Sequence, residues 1–117
     1  MIDLLAEQRA ARRVAVLGEM LELGSFTEAL HREVGRHIYK AGLDILVGIG
    51  KASRFMIDEA TKAGLASDAA FWFEHSEAAG LFLRTFVRPG DAILFKGSRA
   101  TRIEMALSTF QAGQQPV

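Results

Sequence analysis

The chain of 117 residues contains no cysteine, which excludes disulfides and thiolate metal sites and fits a reducing compartment. It also lacks an excess of either charge, because fourteen basic and fourteen acidic side chains cancel. Without a cationic surplus, nucleic acid and anionic lipid are not expected partners, and any charged ligand must be met by a local cluster. No apolar run approaches the roughly 18 residues of a membrane span. The opening Met1-Ile-Asp-Leu-Leu-Ala-Glu7 carries acids where a signal peptide carries bases, so a cytoplasmic location is expected. The P-loop pattern G-x-x-x-x-G-K-[ST], a G-x-S-x-G elbow and a Ser/His/Asp set are absent as well. By itself the chain therefore holds neither an ATP-hydrolysing phosphate cradle nor a hydrolase triad.

What is present is an apolar chain, half of it hydrophobic, with length for one core and no room for a second domain. The expectation is a single domain over 1–117 with a polar tail over 111–117. Apolar runs of strand length (Val14 to Leu17, Ile45 to Ile49, Ala69 to Phe73 and Ala92 to Phe95) alternate with stretches of helical period. That alternation, with few polar residues inside the runs, predicts strands covered on both faces and an α/β fold with a mainly parallel sheet. Ser25-Phe-Thr-Glu28 has the form of a capping box, with Leu30, Val34 and Ile38 on the inward face and Gly42 as the stop. Further helices are expected from Ala52 to Ala63, from Ser76 to just before Pro89-Gly90, and from Ser98 onward with Ile103, Leu107 and Phe110 inward. An opening helix over Ile2 to Ala11, burying Leu4 and Leu5, begins so abruptly that Met1 is expected to lie inside a longer protein.

Two turns carry chemistry. Gly18 ends the first strand and is followed by two carboxylates, Glu19 and Glu22, at the edge where open parallel sheets collect ligands. Phe95-Lys-Gly-Ser-Arg99 ends the last strand; Lys96 and Arg99 supply charge, the Gly97 backbone allows close approach, and Ser98 offers a hydroxyl to an anion. A capped helix with two solvated cations is the plainer reading of that stretch, and both stand at this point. Gly48-Ile-Gly-Lys-Ala-Ser53 resembles the opening of G-x-G-x-x-G, with Lys51 as a candidate contact, and also reads as a tight turn before a helix. His31 and His37 stand about 240° apart on one helix, so His31, His37 and His75 form no metal set and read as surface or half-buried residues. A contact from His31 to the acidic loop is a further possibility. Trp72, between Phe71 and Phe73, reads as core packing.

Taken in order, Arg13-Val-Ala-Val-Leu-Gly-Glu-Met-Leu-Glu-Leu-Gly24, His31-Arg-Glu-Val-Gly35, Gly90-Asp-Ala-Ile-Leu-Phe-Lys-Gly-Ser-Arg99 and Glu104 resemble a known pattern. It is that of the carboxy-terminal domain of the Mur ligase family, in the branch that adds D-alanyl-D-alanine to a muramoyl tripeptide. The resemblance covers nearly the whole chain; where the family most often has aspartate, Glu19 keeps the charge and lengthens the arm.

The resemblance implies a three-layer α/β/α Rossmann-like sandwich in which the last strand inserts between the first and second. It also implies a parent enzyme for peptidoglycan synthesis with ATP and magnesium as cofactors and with D-alanyl-D-alanine and UDP-muramoyl-tripeptide as substrates. An amino-terminal domain and a central ATPase domain would join this one in cis. ATP would phosphorylate the tripeptide carboxylate, and the dipeptide amine would then attack the acyl phosphate and expel phosphate. This chain would bind the dipeptide and close over the ATP site, through Lys96, Gly97, Ser98 and Arg99 with Gly18, Glu19 and Glu22. Alone it is expected to bind no cofactor or metal and to be inactive. Two alternatives remain at this point. One is a phosphorelay receiver-like domain using Glu19, Glu74 and Lys96; the other is a free-standing Rossmann nucleotide-binding module using Gly48 to Ser53.

Overall fold

The computed structural model describes residues 2–7, 9–21, 23–97 and 103–112. Four parallel strands, β1 (Arg12–Gly18), β2 (Ile45–Ile49), β3 (Ala70–Phe73) and β4 (Asp91–Lys96), form one sheet in the order β3-β2-β1-β4. Among the described residues the α-helices are α1 (Ile2–Ala6), α2 (Thr27–Lys40), α3 (Arg54–Ala63), α4 (Ser76–Phe86) and α5 (Ile103–Ala112). Successive side chains of a strand point to opposite faces. On β1, Ala15 and Leu17 therefore join Leu5, Ile38, Met56 and Ala60 of α1, α2 and α3, while Val14 and Val16 join Ala79, Leu83 and Ala106 of α4 and α5. The result is the expected α/β/α sandwich with a parallel sheet. The central strands are covered on both faces, whereas β3 and β4, at the edges, are only half-buried.

The strand order corrects one expectation. The last strand does not insert between the first and second but adds outside β1, which pairs with β2 on one side and β4 on the other. A partly buried ion pair marks this register: Arg12 grips Asp91 through two hydrogen bonds of 3.0 and 2.7 Å, gives a third to the Phe86 carbonyl, and lies 4.5 Å from the Phe86 ring centroid. These bonds, led by the Arg12 guanidinium, hold the Asp91 carboxyl below its ordinary value.

Other boundaries shift for local reasons. The opening helix stops at Ala6, whose carbonyl accepts from the Arg13 guanidinium, and Ala11, its N–H donating to the Gly90 carbonyl, leads into β1 at Arg12. Leu5 is buried as expected; the side chains of Leu4, Ile103 and Glu104 lie outside the described residues. The Ser25 capping box does not form. A 3-10 turn over Gly24–Phe26 precedes α2, and the Thr27 hydroxyl donates to the Gly24 carbonyl instead. Lys51–Ser53 is likewise a 3-10 turn before α3, a 3-10 turn over Ser67–Ala69 leads into β3, and α5 continues to Ala112, into the stretch read as tail.

The inward face of α2 is His31, Gly35 and Ile38; Leu30 is exposed and Val34 half-buried. Gly35 explains the rotation, because a Cβ there would lie 2.3 Å from the Met56 carbonyl oxygen, so α2 and α3 meet backbone to side-chain-free backbone. On the other face Phe71, Phe82 and Phe86 cluster with centroids 4.7 to 5.2 Å apart, Phe82 stacked on Phe86 and Phe71 set edge-on to Phe86. Trp72 points the other way, donating from Nε1 to the Gly50 carbonyl and carrying the Arg54 guanidinium 3.9 Å from its ring centroid. Among the described residues no helix is long and apolar enough to cross a membrane.

Candidate functional site

From β1 to β3 the chain moves steadily toward one edge of the sheet, and α4 then carries it back past β2 and β1 to lay β4 on the far side. The strand order therefore reverses between β1 and β4. A crevice opens beyond strand ends at such a switch point, since the two connections leave toward opposite faces. Here it has a volume of about 360 Å³. Ile2, Leu17, Met20, Leu21, Val34 and Met56 give it apolar walls, and Gly18, Lys96 and Gly97 form its strand-end rim. Leu17 pairs with Lys96, so Gly18 and Lys96 lie at the same sheet edge despite the corrected strand order. Lys96 is exposed and has no ion-pair partner among the described residues. A cation at the mouth of an apolar crevice, beside two glycines, suits a small ligand with one anionic end. Ser98, Arg99 and Glu22, the other residues expected at this site, lie outside the described residues.

Glu19 is not part of the crevice lining. Its N–H donates to the Ile49 carbonyl at 3.0 Å, extending the β1–β2 ladder by one residue, and its Oε2 accepts the Ala52 N–H at 2.9 Å. The carboxylate thus bridges the first two βα turns. It lies across Gly50, where φ is +99° and an added Cβ would come 2.8 Å from the Glu19 Cδ. In this contact Glu19 acts as an acid that fixes a loop by accepting a backbone N–H, and its partner lies in the neighbouring turn.

The glycine-rich turn after β2 is filled from within. Ser53 is fully buried and its hydroxyl donates to the Gly50 carbonyl at 2.7 Å, while its Oγ sits 3.0 Å from where a Gly48 Cβ would be. With Ala52 N–H on Glu19, Ser53 N–H on Gly50 and Trp72 covering the same carbonyl, the donors a pyrophosphate would need are taken. Lys51 is exposed and stands on this closed turn, away from the crevice lining. A receiver-like trio is not assembled either. Glu74 follows β3 and Lys96 ends β4, at opposite edges three strand spacings apart, about 14 Å.

His31 corrects the surface or half-buried reading, for it is fully buried. Its Nε2 accepts the Met20 N–H at 2.9 Å and its Nδ1 donates to the Thr27 carbonyl at 2.6 Å. The missed signal was its spacing of four from Gly35 and seven from Ile38, the true inward stripe of α2. His37 instead pairs with Asp3 on α1, and His75 is exposed ahead of α4. Among the described residues no three His, Asp or Glu side chains are grouped to hold a metal ion.

Comparison with known proteins converges on one family. Residues 1–99 match the model of the Mur ligase, glutamate ligase domain. The UDP-N-acetylmuramoyl-tripeptide--D-alanyl-D-alanine ligase of a Synechocystis strain is 32% identical over 111 residues, which is 95% of this chain and 24% of that protein. The Escherichia coli ligase of the same name is 31% identical over 112 residues, 94% of this chain and 23% of that protein. Among solved structures, MurF from Acinetobacter baumannii superposes with a TM-score of 0.81 at 26% identity, over 95% of this chain and 24% of that one. MurF from Thermotoga maritima, solved in complex with ADP, gives 0.75 at 28% identity, over 96% and 24%. The chain spans about a quarter of the length of these relatives.

Proposed function

This chain belongs to the Mur ligase family, as its carboxy-terminal glutamate ligase domain, and we propose that it serves a ligase that joins D-alanyl-D-alanine to UDP-muramoyl-tripeptide in peptidoglycan synthesis. Its own share is to receive the dipeptide in the crevice between β1 and β4. The observation that carries this reading is Lys96, exposed and without an ion-pair partner among the described residues, at the rim of an apolar crevice at the switch point. A dipeptide with two methyl side chains and a terminal carboxylate matches an apolar cleft with a cation at its edge, and Lys96 meets the carboxylate while the Gly97 backbone lets it approach. Ser98 and Arg99, next in the sequence, bring a hydroxyl and a second cation suited to the same anion.

ATP and magnesium belong to the rest of such a ligase. The sequence has no P-loop, and the described residues offer no cluster of metal ligands, so no step through either group is assigned to this chain. What the domain supplies is binding and orientation: a dipeptide fixed at its carboxylate end can present its neutral amine to an activated carboxyl on a neighbouring domain. Glu19 supports this indirectly by tying the loop after β1 to the turn after β2.

The test is Lys96→Ala in the complete ligase. The KM for the dipeptide should rise by about tenfold or more while that for ATP moves by less than about twofold, the pattern of a lost binding contact. An unchanged dipeptide KM removes Lys96, and the crevice with it, from the proposed site.

A further inference from the structure

His31 is fully buried, yet both ring nitrogens are bonded, and the two bonds go to different parts of the chain. A backbone N–H only donates and a carbonyl only accepts. The proton therefore sits on Nδ1, facing the Thr27 carbonyl one turn back in α2, and the lone pair of Nε2 faces the Met20 N–H. One ring joins the interior of α2 to the loop after β1.

Glu19 ties the start of that loop to the turn after β2 through the Ala52 N–H, and the His31 bond holds the next residue, Met20. Glu19 makes the last ladder bond from β1 to β2, through the Ile49 carbonyl, and Leu21 is 41% exposed. Met20 and Leu21 nonetheless form part of the crevice wall that shares the cavity with Lys96 and Gly97. An apolar side chain at position 31 would fill the volume but leave the Met20 N–H without its acceptor. The amide would then turn toward water and take the wall with it.

We infer that His31 is a positioning residue of the crevice: through Nε2 it fixes Met20, and with Met20 the apolar wall beside Lys96 and Gly97. The inference rests on the crevice being the dipeptide site. His31 touches no reacting atom in this scheme and acts only through the loop.

Two substitutions separate this role from plain core packing. In His31→Gln the side-chain oxygen reaches the place of Nε2 and can still accept from Met20; in His31→Asn the amide reaches only the place of Nδ1 and serves Thr27 alone. Both should lower the melting temperature, but they should differ at the loop. Amide hydrogen exchange at Met20 should stay within about threefold of the unsubstituted rate in His31→Gln and speed up by about tenfold or more in His31→Asn. In the complete ligase the dipeptide KM should follow the same order, rising about tenfold in His31→Asn and little in His31→Gln, with the KM for ATP unmoved in both. Equal effects of the two variants, at Met20 or on the dipeptide KM, would overturn the inference, as would a Met20 amide still protected in His31→Asn. Should neither variant fold, Leu21→Gly loosens the same wall without entering the core, and an unchanged dipeptide KM there is equally fatal. Lys96→Ala keeps the two readings apart. If it raises the dipeptide KM and His31→Asn does not, only the role of His31 falls; if neither does, the crevice itself falls and the inference goes with it.

Discussion

Strands β1 and β4 run side by side from Arg12 and Asp91 to Leu17 and Lys96, and the two ends of that pairing are built on opposite plans. At the amino end a cation and an anion meet inside the fold. The Asp91 side chain is 1% exposed, and it accepts from the Arg12 guanidinium and from the Arg88 N–H. At the carboxyl end the cation has no partner among the described residues, and glycines stand on both strand exits, at Gly18 and Gly97. The difference teaches where to look for a ligand: a charge is available to one only where the fold has not already answered it. The turn after β2 is the instructive middle case. Its glycines look open in the sequence, but Glu19, Ser53 and Trp72 have closed it.

The largest effect should come from breaking the answered end. Asp91→Ala strands a partly buried guanidinium and should cost about 3 kcal/mol, a fall in melting temperature of roughly 10–15 °C for a domain of this size. Because the folded state holds the Asp91 carboxyl below its ordinary value, its contribution is complete above the unfolded value near about pH 4 and is lost as the pH falls through the folded one. The unsubstituted protein should therefore lose stability below about pH 4. Asp91→Ala should give a flatter curve there. Urea titrations of both proteins at neutral and acid pH check this; parallel curves would mean that the pair does not stabilise the fold.

The closed turn should come second. Gly50→Ala must place a side chain at φ +99° and within 2.8 Å of the Glu19 carboxyl carbon. The backbone conformation alone costs about 1–2 kcal/mol, and displacing the carboxylate releases the Ala52 N–H as well. A total near 2 kcal/mol by chemical denaturation would class this turn with the amino end. A cost below about 0.5 kcal/mol would show the turn to be open after all, and the nucleotide-module reading would regain its footing.

What could be read in the chain divides along the same line. The strands were legible because β1 and β2, buried on both faces, need continuous apolar runs, and Ile45 to Ile49 is such a run to the residue. The inward face of α2 was misjudged by one step, since Leu30 is the obvious apolar candidate while the actual constraint is Gly35 pressed on Met56, 21 positions later. That same rotation hid His31. The strand order brings together partners far apart in the chain, Arg12 and Asp91, which no local pattern encodes, and the opening helix ends where the Ala6 carbonyl accepts from Arg13, seven positions on. At the site, Gly18, Lys96 and Gly97 converge as expected because strand ends in a parallel sheet share one edge. Glu19 was legible as an acid in a turn, but its backbone partner Ala52, 33 residues on, was not.

The smallest expected effect on stability carries the sharpest consequence for the comparison. Lys96 is exposed and unpartnered among the described residues, so Lys96→Ala removes no bond made among them and should change stability by no more than about 0.5 kcal/mol. Asp91→Ala, five positions earlier on the same strand, should cost several times as much. A ligand site tolerates this asymmetry because the cation's energy is realised only when the anion arrives, whereas a structural ion pair is realised on folding. If Lys96→Ala proved as costly as Gly50→Ala, Lys96 would have a partner in the free protein, and the carboxyl end of β4 would be an answered charge like the amino end. A stable Lys96→Ala variant whose parent ligase has lost affinity for the dipeptide is the outcome that only an unanswered cation produces.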